Sequence, residues 1–256
     1  MQLKDILNII KEIQSIYNTS ETMICGGLVR DKYMNRLDHI DDLDLTTGDQ
    51  TIKIVSSKLG DILSKKYKII ERVSQDGHTS IKLGNIKIDF SSNYIMPNIL
   101  VVLNKLGIVN PNLLTQEMFS RDFTCNALLL NLDLNNIKSP IKTALDDINN
   151  KIIKTCLPPN YTLVSSKNRV VRSIYLASKL SFSIDPTIIN FVKNNPNTIN
   201  ISIPQVVEKK LDQAFDYDAD RAVWNISQMN LWDYIPITEK VKPYYVKLKG
   251  IDNGKR

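Results

Sequence analysis

A chain of 256 residues with 43% hydrophobic side chains holds enough apolar material for one large or two small folded domains. Its 33 Lys and Arg against 27 Asp and Glu leave a formal net charge of +6, which suits a polyanionic partner, although a solvated lysine-rich surface has the same composition. Three well-separated cysteines (Cys25, Cys125, Cys156), no C-x-x-C pair and only two histidines argue against a disulfide framework or a zinc site, and no stretch is apolar enough to span a bilayer, so a reducing, cytoplasmic setting without a membrane is expected.

Leu3, Ile6, Leu7, Ile10, Ile13 and Tyr17 recur at helical spacing and predict an amphipathic core helix rather than a signal peptide. Thr22 to Cys25 reads as the end of a buried strand. Gly26 and Gly27 then let the backbone turn and come close to a phosphate without a Cβ in the way, ahead of a helix from Leu28 to Arg36 that carries Arg30 near its start. Next comes Asp42-Leu43-Asp44. Residues i and i+2 of a strand share a face, so both carboxylates can aim at one point, where hard oxygen ligands hold Mg²⁺ beside a triphosphate, while Asp41 points away. A Gly-Gly turn and an Asp-Leu-Asp strand exit are each commonplace. Their succession is specific, and suits metal-dependent nucleotidyl transfer.

A helix is predicted from Asp49 to Lys66, then strands over 67–73, 78–83 and 86–90, separated by Gln75-Asp76-Gly77 and Gly84-Asn85. The last of these carries Asp89, a candidate third carboxylate if its strand lies beside Asp42 and Asp44, and otherwise a surface strand-end aspartate. Met96 to Asn112, broken by Pro97, Gly107 and Pro111, predicts a short helix or an irregular connection. From Leu113 a helix is expected, opened by a capping-box-like Thr115-Gln116-Glu117-Met118 and running into Arg121-Asp122-Phe123-Thr124-Cys125-Asn126-Ala127-Leu128. The chain returns to the sheet over 128–134. Helices are then predicted over 168–180, 186–194, 204–215 and 218–231, with Tyr217, Trp224, Trp232 and Tyr234 at spacings that read as core rather than as a base-stacking platform. The end, Lys247 to Arg256, reads as basic and mobile.

The Gly-Gly turn with Asp42 and Asp44, the segment Arg121 to Leu128, which resembles an RRDFTxNA ribose-reading motif, and Arg169-Val-Val-Arg172 leading to Leu180-Ser-Phe-Ser-Ile-Asp185-Pro186 occur in the order and spacing of one family. The chain resembles the class II CCA-adding tRNA nucleotidyltransferases and bacterial poly(A) polymerases over about residues 22 to 236. The resemblance implies an α+β fold: a nucleotidyltransferase-type head with a small mixed β-sheet and helices over 1–140, an all-helical neck over 141–240, and a basic flexible tail over 241–256. It implies Gly26, Gly27 and Arg30 at the triphosphate, Arg121, Asp122 and Asn126 in the nucleotide-binding segment, with Arg121 and Asp122 on the ribose 2′-hydroxyl, and Arg169 and Arg172 at the nucleotide. Asp42, Asp44 and Asp89 are the expected catalytic carboxylates, with Asp42 and Asp44 holding two Mg²⁺ ions.

Base choice departs from the family. Where relatives carry E-D-x-x-R, this chain has Ser165-Ser166-Lys167-Asn168-Arg169, and a rotating neutral hydroxyl cannot replace the fixed carboxylate acceptor. Ser120 and Tyr175 likewise stand where the family has arginines. The implied activity is template-independent transfer of NMP, chiefly AMP, from ATP, with CTP as second candidate, to an RNA 3′ end of tRNA or another RNA, with relaxed specificity. The resemblance covers head and neck and not the family's tRNA-measuring body and tail, so a partner subunit or a second copy is the expected source of further RNA-binding surface. CCA addition is the main alternative. A non-catalytic RNA-binding regulator is the reading from another class, and it would not require the Asp42/Asp44 spacing; nucleotidyl transfer to a small molecule or protein is a third reading, favoured if no RNA is extended.

Overall fold

In the computed structural model, which describes residues 2–37, 40–73, 79–91, 93–166, 168–201 and 203–250, the first apolar stripe becomes helix α1, Leu3–Tyr17. Gln2 and Asp5 close a capping box at its start, and Ile6, Leu7, Ile10 and Ile13 are buried while Tyr17 is exposed. Each such buried aliphatic side chain contributes about 1.5–3 kcal/mol to the fold. The expected turn at Gln75-Asp76-Gly77, His78, Lys167 and the last six positions of the expected tail lie outside the described residues. Two compact units are formed, Met1–Arg121 with Cys125–Ala144, and Asp122–Thr124 with Leu145–Arg256.

The first unit continues with β1 (Met23–Cys25), α2 (Gly27–Tyr33), β2 (Asp42–Thr46), α3 (Ile52–Ser64), β3 (Ile69–Val73), β4 (Thr79–Leu83), β5 (Ile86–Phe90), α4 (Ile99–Lys105), α5 (Leu113–Ser120), β6 (Leu129–Leu130) and β7 (Ile137–Lys138). Among the described residues its sheet has seven strands in the order β3-β4-β5-β2-β1-β6-β7. Only β2 and β5 run parallel; the other neighbours are antiparallel, so the sheet is mixed. Strand β1 lies inside it between β2 and β6 and all three of its residues are buried, which explains its uninterrupted apolar sequence.

The predicted helix through Arg121 is corrected. Helix α5 is capped by the Asn112 side chain, which accepts from Thr115 N–H, not by a box at Thr115, and it ends at Ser120, because Arg121 is extended at ψ 171°. Phe123 then makes an antiparallel bridge to Thr155, Thr124 N–H donates to Lys154 O, and a 3₁₀ turn covers Thr124–Asn126. Polar side chains draw this segment away from a helix: Asp122 accepts from the N–H of Phe123, leaving the chain extended.

The second unit holds α6 (Ala144–Asn149), β8 (Ile152–Ile153), α7 (Pro159–Thr162), α8 (Arg169–Leu180), β9 (Ser183–Ile184), α9 (Pro186–Asn194), α10 (Pro204–Gln228) and α11 (Lys242–Lys249). It is helical apart from the short parallel pair β8–β9, which the helical periodicity gave no sign of. The two helices expected over 204–215 and 218–231 are joined as α10, with one residue out of helical geometry, Asp218 at φ −163°, ψ 92°. Its side chain accepts from Arg221 N–H and so restarts the helix. The mobile tail is corrected over 242–249. There α11 is held by Tyr244 against Phe215, ring centroids 5.2 Å apart, and by Tyr245 against Trp232 at 6.1 Å. Two of the expected core aromatics are also corrected: Trp232 is buried, but Tyr217 and Trp224 are 54% and 63% exposed. Among the described residues no helix is long and apolar enough to cross a membrane.

Candidate active site

Register brings the acidic residues together. Antiparallel pairing sets Cys25 of β1 opposite Asp44 of β2, and parallel pairing sets Asp44 opposite Asp89 and Asp42 opposite Lys87 on β5. Register partners share a sheet face and so do residues two apart, so Asp42, Asp44, Asp89 and Lys87 occupy one patch. Burial first, and then the negative charges of Asp89 and Asp42, hold the Asp44 carboxyl above its ordinary range, while Arg121 and Lys87 act against that rise. Lys87 Nζ sits 2.5 Å from Asp89 Oδ2, and this hydrogen bond raises the lysine's own pKa. Among the described residues no group of three His, Cys, Asp or Glu is placed to hold a metal ion. The strand of Asp89 does lie beside that of Asp42 and Asp44, the condition set for a third carboxylate, and in this arrangement the Asp89 carboxylate accepts from Lys87.

Gly26 faces this patch. Its φ of +80° is open to glycine but strained for other residues, and a Cβ there would lie 2.5 Å from Asp44 Oδ2. Gly26→Ala is expected to lower stability by about 1–3 kcal/mol through backbone strain and to push the Asp44 carboxylate aside. Urea unfolding of the variant measures the first effect. Arg30, expected at the triphosphate, is only 3% exposed; its Nη1 donates to Asn126 Oδ1 at 2.6 Å, and Nε and Nη2 donate to Asp31 at 2.8 and 3.0 Å. It ties α2 to the turn that carries Asn126.

Arg121 reaches back under the Gly-Gly turn. Its Nη2 donates to Cys25 Sγ at 2.9 Å and to Glu117 Oε1 at 3.2 Å, whereas its Nε–H is buried without an acceptor. The Cys25 thiol is pushed up to about 12, by burial foremost and then, against the pull of Arg121, by the Asp44 and Glu117 carboxylates, so at neutral pH it packs as a thiol. Glu117 is the residue that sequence reasoning missed, treating it as part of a helix cap. It is buried, accepting from Thr46 Oγ1 at 2.6 Å at the end of β2, from Ser91 Oγ at 2.9 Å just past β5, and from Arg121. An acid one helical turn before an arginine (Glu117, Arg121) was the available signal.

In the second unit, Asp122 is buried; its Oδ2 accepts from Arg172 Nε at 2.8 Å and its Oδ1 from Phe123 N–H at 2.8 Å. Arg169, also buried, donates through Nη1 to Thr162 O at 3.1 Å and to Ser165 Oγ at 3.0 Å. Ser166 is half-buried. Asn168 Oδ1, two residues on, is buried without a donor.

A mixed sheet with paired carboxylates on a central strand, beside a Gly-Gly turn, followed by a helical unit, defines a nucleotidyltransferase head with a helical neck. A family model described as the poly(A) polymerase head domain matches residues 22–154, more than half of the chain, and the chain belongs to that family. It is 25% identical over 207 residues to the mitochondrial CCA tRNA nucleotidyltransferase of Saccharomyces cerevisiae, covering 72% of this chain and 37% of that protein. It is also 25% identical over 232 residues to the CCA-adding enzyme of Staphylococcus epidermidis, covering 89% of this chain and 54% of that one. The chain thus spans between about a third and about half of these relatives' lengths. A solved complex of a CCA-adding enzyme with ATP has the same fold at a TM-score of 0.69 and 15% identity, over 90% of this chain and 52% of that chain.

Proposed function

We propose that this chain transfers NMP from a nucleoside triphosphate, ATP first and CTP second, to the 3′-hydroxyl of an RNA, as a poly(A) polymerase-like or relaxed-specificity enzyme. The observation that carries the reading is the placement of Asp42 and Asp44 on one face of β2, opposite Gly26 and beside Asp89. The attacking 3′-oxygen bonds to the α-phosphorus, the bond to the bridging oxygen breaks, and pyrophosphate leaves.

The donor set fits Mg²⁺: a half-buried carboxylate crowded by two others is electrostatically under-compensated, and hard oxygens are what that ion takes. Asp42 and Asp44 would hold it, with two ions expected, and bound Mg²⁺ supplies activation of the 3′-hydroxyl and charge neutralisation on the leaving pyrophosphate. Asp89 adds negative charge and Lys87 limits it. Gly26 and Gly27 keep the backbone bare, so that the triphosphate approaches beside Asp44. Arg121, held by Glu117 and with its Nε–H lacking an acceptor, is assigned to the nucleotide, and Arg30 with Asn126 braces the turn instead of touching phosphate. Asp122, oriented by Arg172, is assigned to the ribose, and Arg169 with Ser165 and Ser166 to the base.

Relaxed base choice follows from the serines. Arg169 bonds to Ser165, and Ser166 offers only a rotatable hydroxyl where the family has a carboxylate. Ser166→Asp is expected to raise the preference for A and C over G and U by about ten- to a hundred-fold, since a hydrogen bond to a charged group contributes roughly 1.5–3 kcal/mol. Single-nucleotide incorporation kinetics check it. Three buried free thiols suit a reducing, cytoplasmic compartment, and a partner subunit or second copy is the proposed source of additional RNA-binding surface. The deciding experiment incubates the chain with Mg²⁺, each labelled NTP separately, and either a tRNA lacking CCA or a generic oligonucleotide. Long A tails are the expected result; a stop after three additions means CCA synthesis, and no incorporation on either RNA overturns the proposal.

A further inference from the structure

Two helical stripes of the second unit face each other. On α8, Arg172, Tyr175 and Lys179 fall at i, i+3 and i+7; on α10, Lys210, Gln213 and Tyr217 repeat that spacing. The rings of Tyr175 and Tyr217 meet edge to face with centroids 6.0 Å apart. Lys210 Nζ lies 4.2 Å from the Tyr175 centroid, and Lys179 Nζ lies 6.0 Å from that ring and 5.8 Å from the Tyr217 ring. Tyr217 is 54% exposed, far more than core packing would leave it.

The charge here is uncompensated. Among the described residues neither Lys179, Lys209 nor Lys210 has a carboxylate partner: of the five acidic residues of α10, Asp212 is engaged with Thr238, Asp216 with Lys240 and Asp218 with Arg221, and Glu208 and Asp220 make no ion pair with these lysines. Burial, and then the positive charges of Arg172, Lys209 and Lys179, lower the proton affinity of Lys210, a sign of how closely the cations crowd. Crowded like charges favour a polyanion, and an exposed aromatic face between them favours a flat ring. A single-stranded nucleic acid supplies both at one spacing, because each stacked base carries its own phosphate.

We infer that Tyr175 and Tyr217, flanked by Lys179, Lys209 and Lys210, form a stacking platform for the single-stranded end of the acceptor RNA. The inference rests on the RNA-extending reading for its choice of partner, and the site is one of binding, not of chemistry. The test measures fluorescence anisotropy of a labelled oligo(A) RNA in EDTA, without NTP. Tyr217→Ala is expected to weaken binding roughly 5- to 150-fold, the loss of about one stacked base, while Tyr217→Phe keeps wild-type affinity. Lys179→Gln is expected to lower the dependence of log Kd on log salt by about one phosphate contact. Trp224→Ala, which removes an exposed aromatic that makes none of these contacts, is expected to bind as wild type. Unchanged affinity in Tyr217→Ala, equal loss in Trp224→Ala, or a change of oligomeric state in Tyr217→Ala without a change in RNA affinity overturns the platform.

The two proposals separate cleanly. Incorporation by the wild type with Kd and KM for RNA untouched in Tyr217→Ala removes the platform and leaves the transferase standing. Tyr217-dependent binding with no incorporation does the reverse.

Discussion

Changing Asp42 and Asp44 together to asparagine is expected to reduce NMP incorporation beyond the roughly 10- to 100-fold that losing an outer-shell partner of a metal site costs, because both direct oxygen ligands lose their charge. The same change is expected to leave the urea midpoint unchanged or higher. A carboxyl whose pKa rises on folding destabilises the fold at every pH above its unfolded value, and burial together with Asp89 and Asp42 puts Asp44 in that class. Asparagine keeps the shape and removes the like-charge repulsion. Activity lost with stability kept distinguishes a site built for a ligand from a structural one. Full activity in the double variant would remove the basis of the proposed chemistry.

Glu117→Ala is expected to do the opposite, costing stability first. The substitution leaves the buried Arg121 guanidinium without its helix partner and Thr46 and Ser91 without their acceptor, and breaking a buried pair from one side costs about 3–5 kcal/mol. Against a total of about 5–15 kcal/mol this brings the fold near its limit. Urea unfolding reads the loss, and Glu117→Gln, which keeps the volume and one acceptor oxygen, is expected to lose less. If Glu117→Ala unfolds at the wild-type midpoint, the network is not holding the ends of β2 and β5 together.

What could be read in the chain, and what could not, divides by the distance over which the deciding interactions act. The Gly-Gly turn and the Asp42/Asp44 alternation were legible because each depends on φ and on strand period, properties of a few consecutive residues. The stop of α5 at Ser120 was not, because the alternative conformation of Arg121 to Thr124 is held by Thr155, Lys154 and Arg172, far along the chain. Exposure of Tyr217 and Trp224 was misread for a related reason. Helical spacing identifies a stripe, but only the packing partner decides whether that stripe is covered.

By itself the sequence determined the local chemistry of this protein: two carboxylates on one strand face, a glycine where no Cβ fits, an arginine three residues beyond a pair of serines. Tertiary structure alone decided which groups are spent on each other. Arg30 goes to Asn126, Asp89 to Lys87 and Arg169 to Ser165, while the lysines beside Tyr175 and Tyr217 are left without carboxylate partners among the described residues. The physical reason is that charge pairing depends on distance in space, and ion-pair partners in this protein lie up to 122 positions apart in the chain, as Lys11 and Asp133 do.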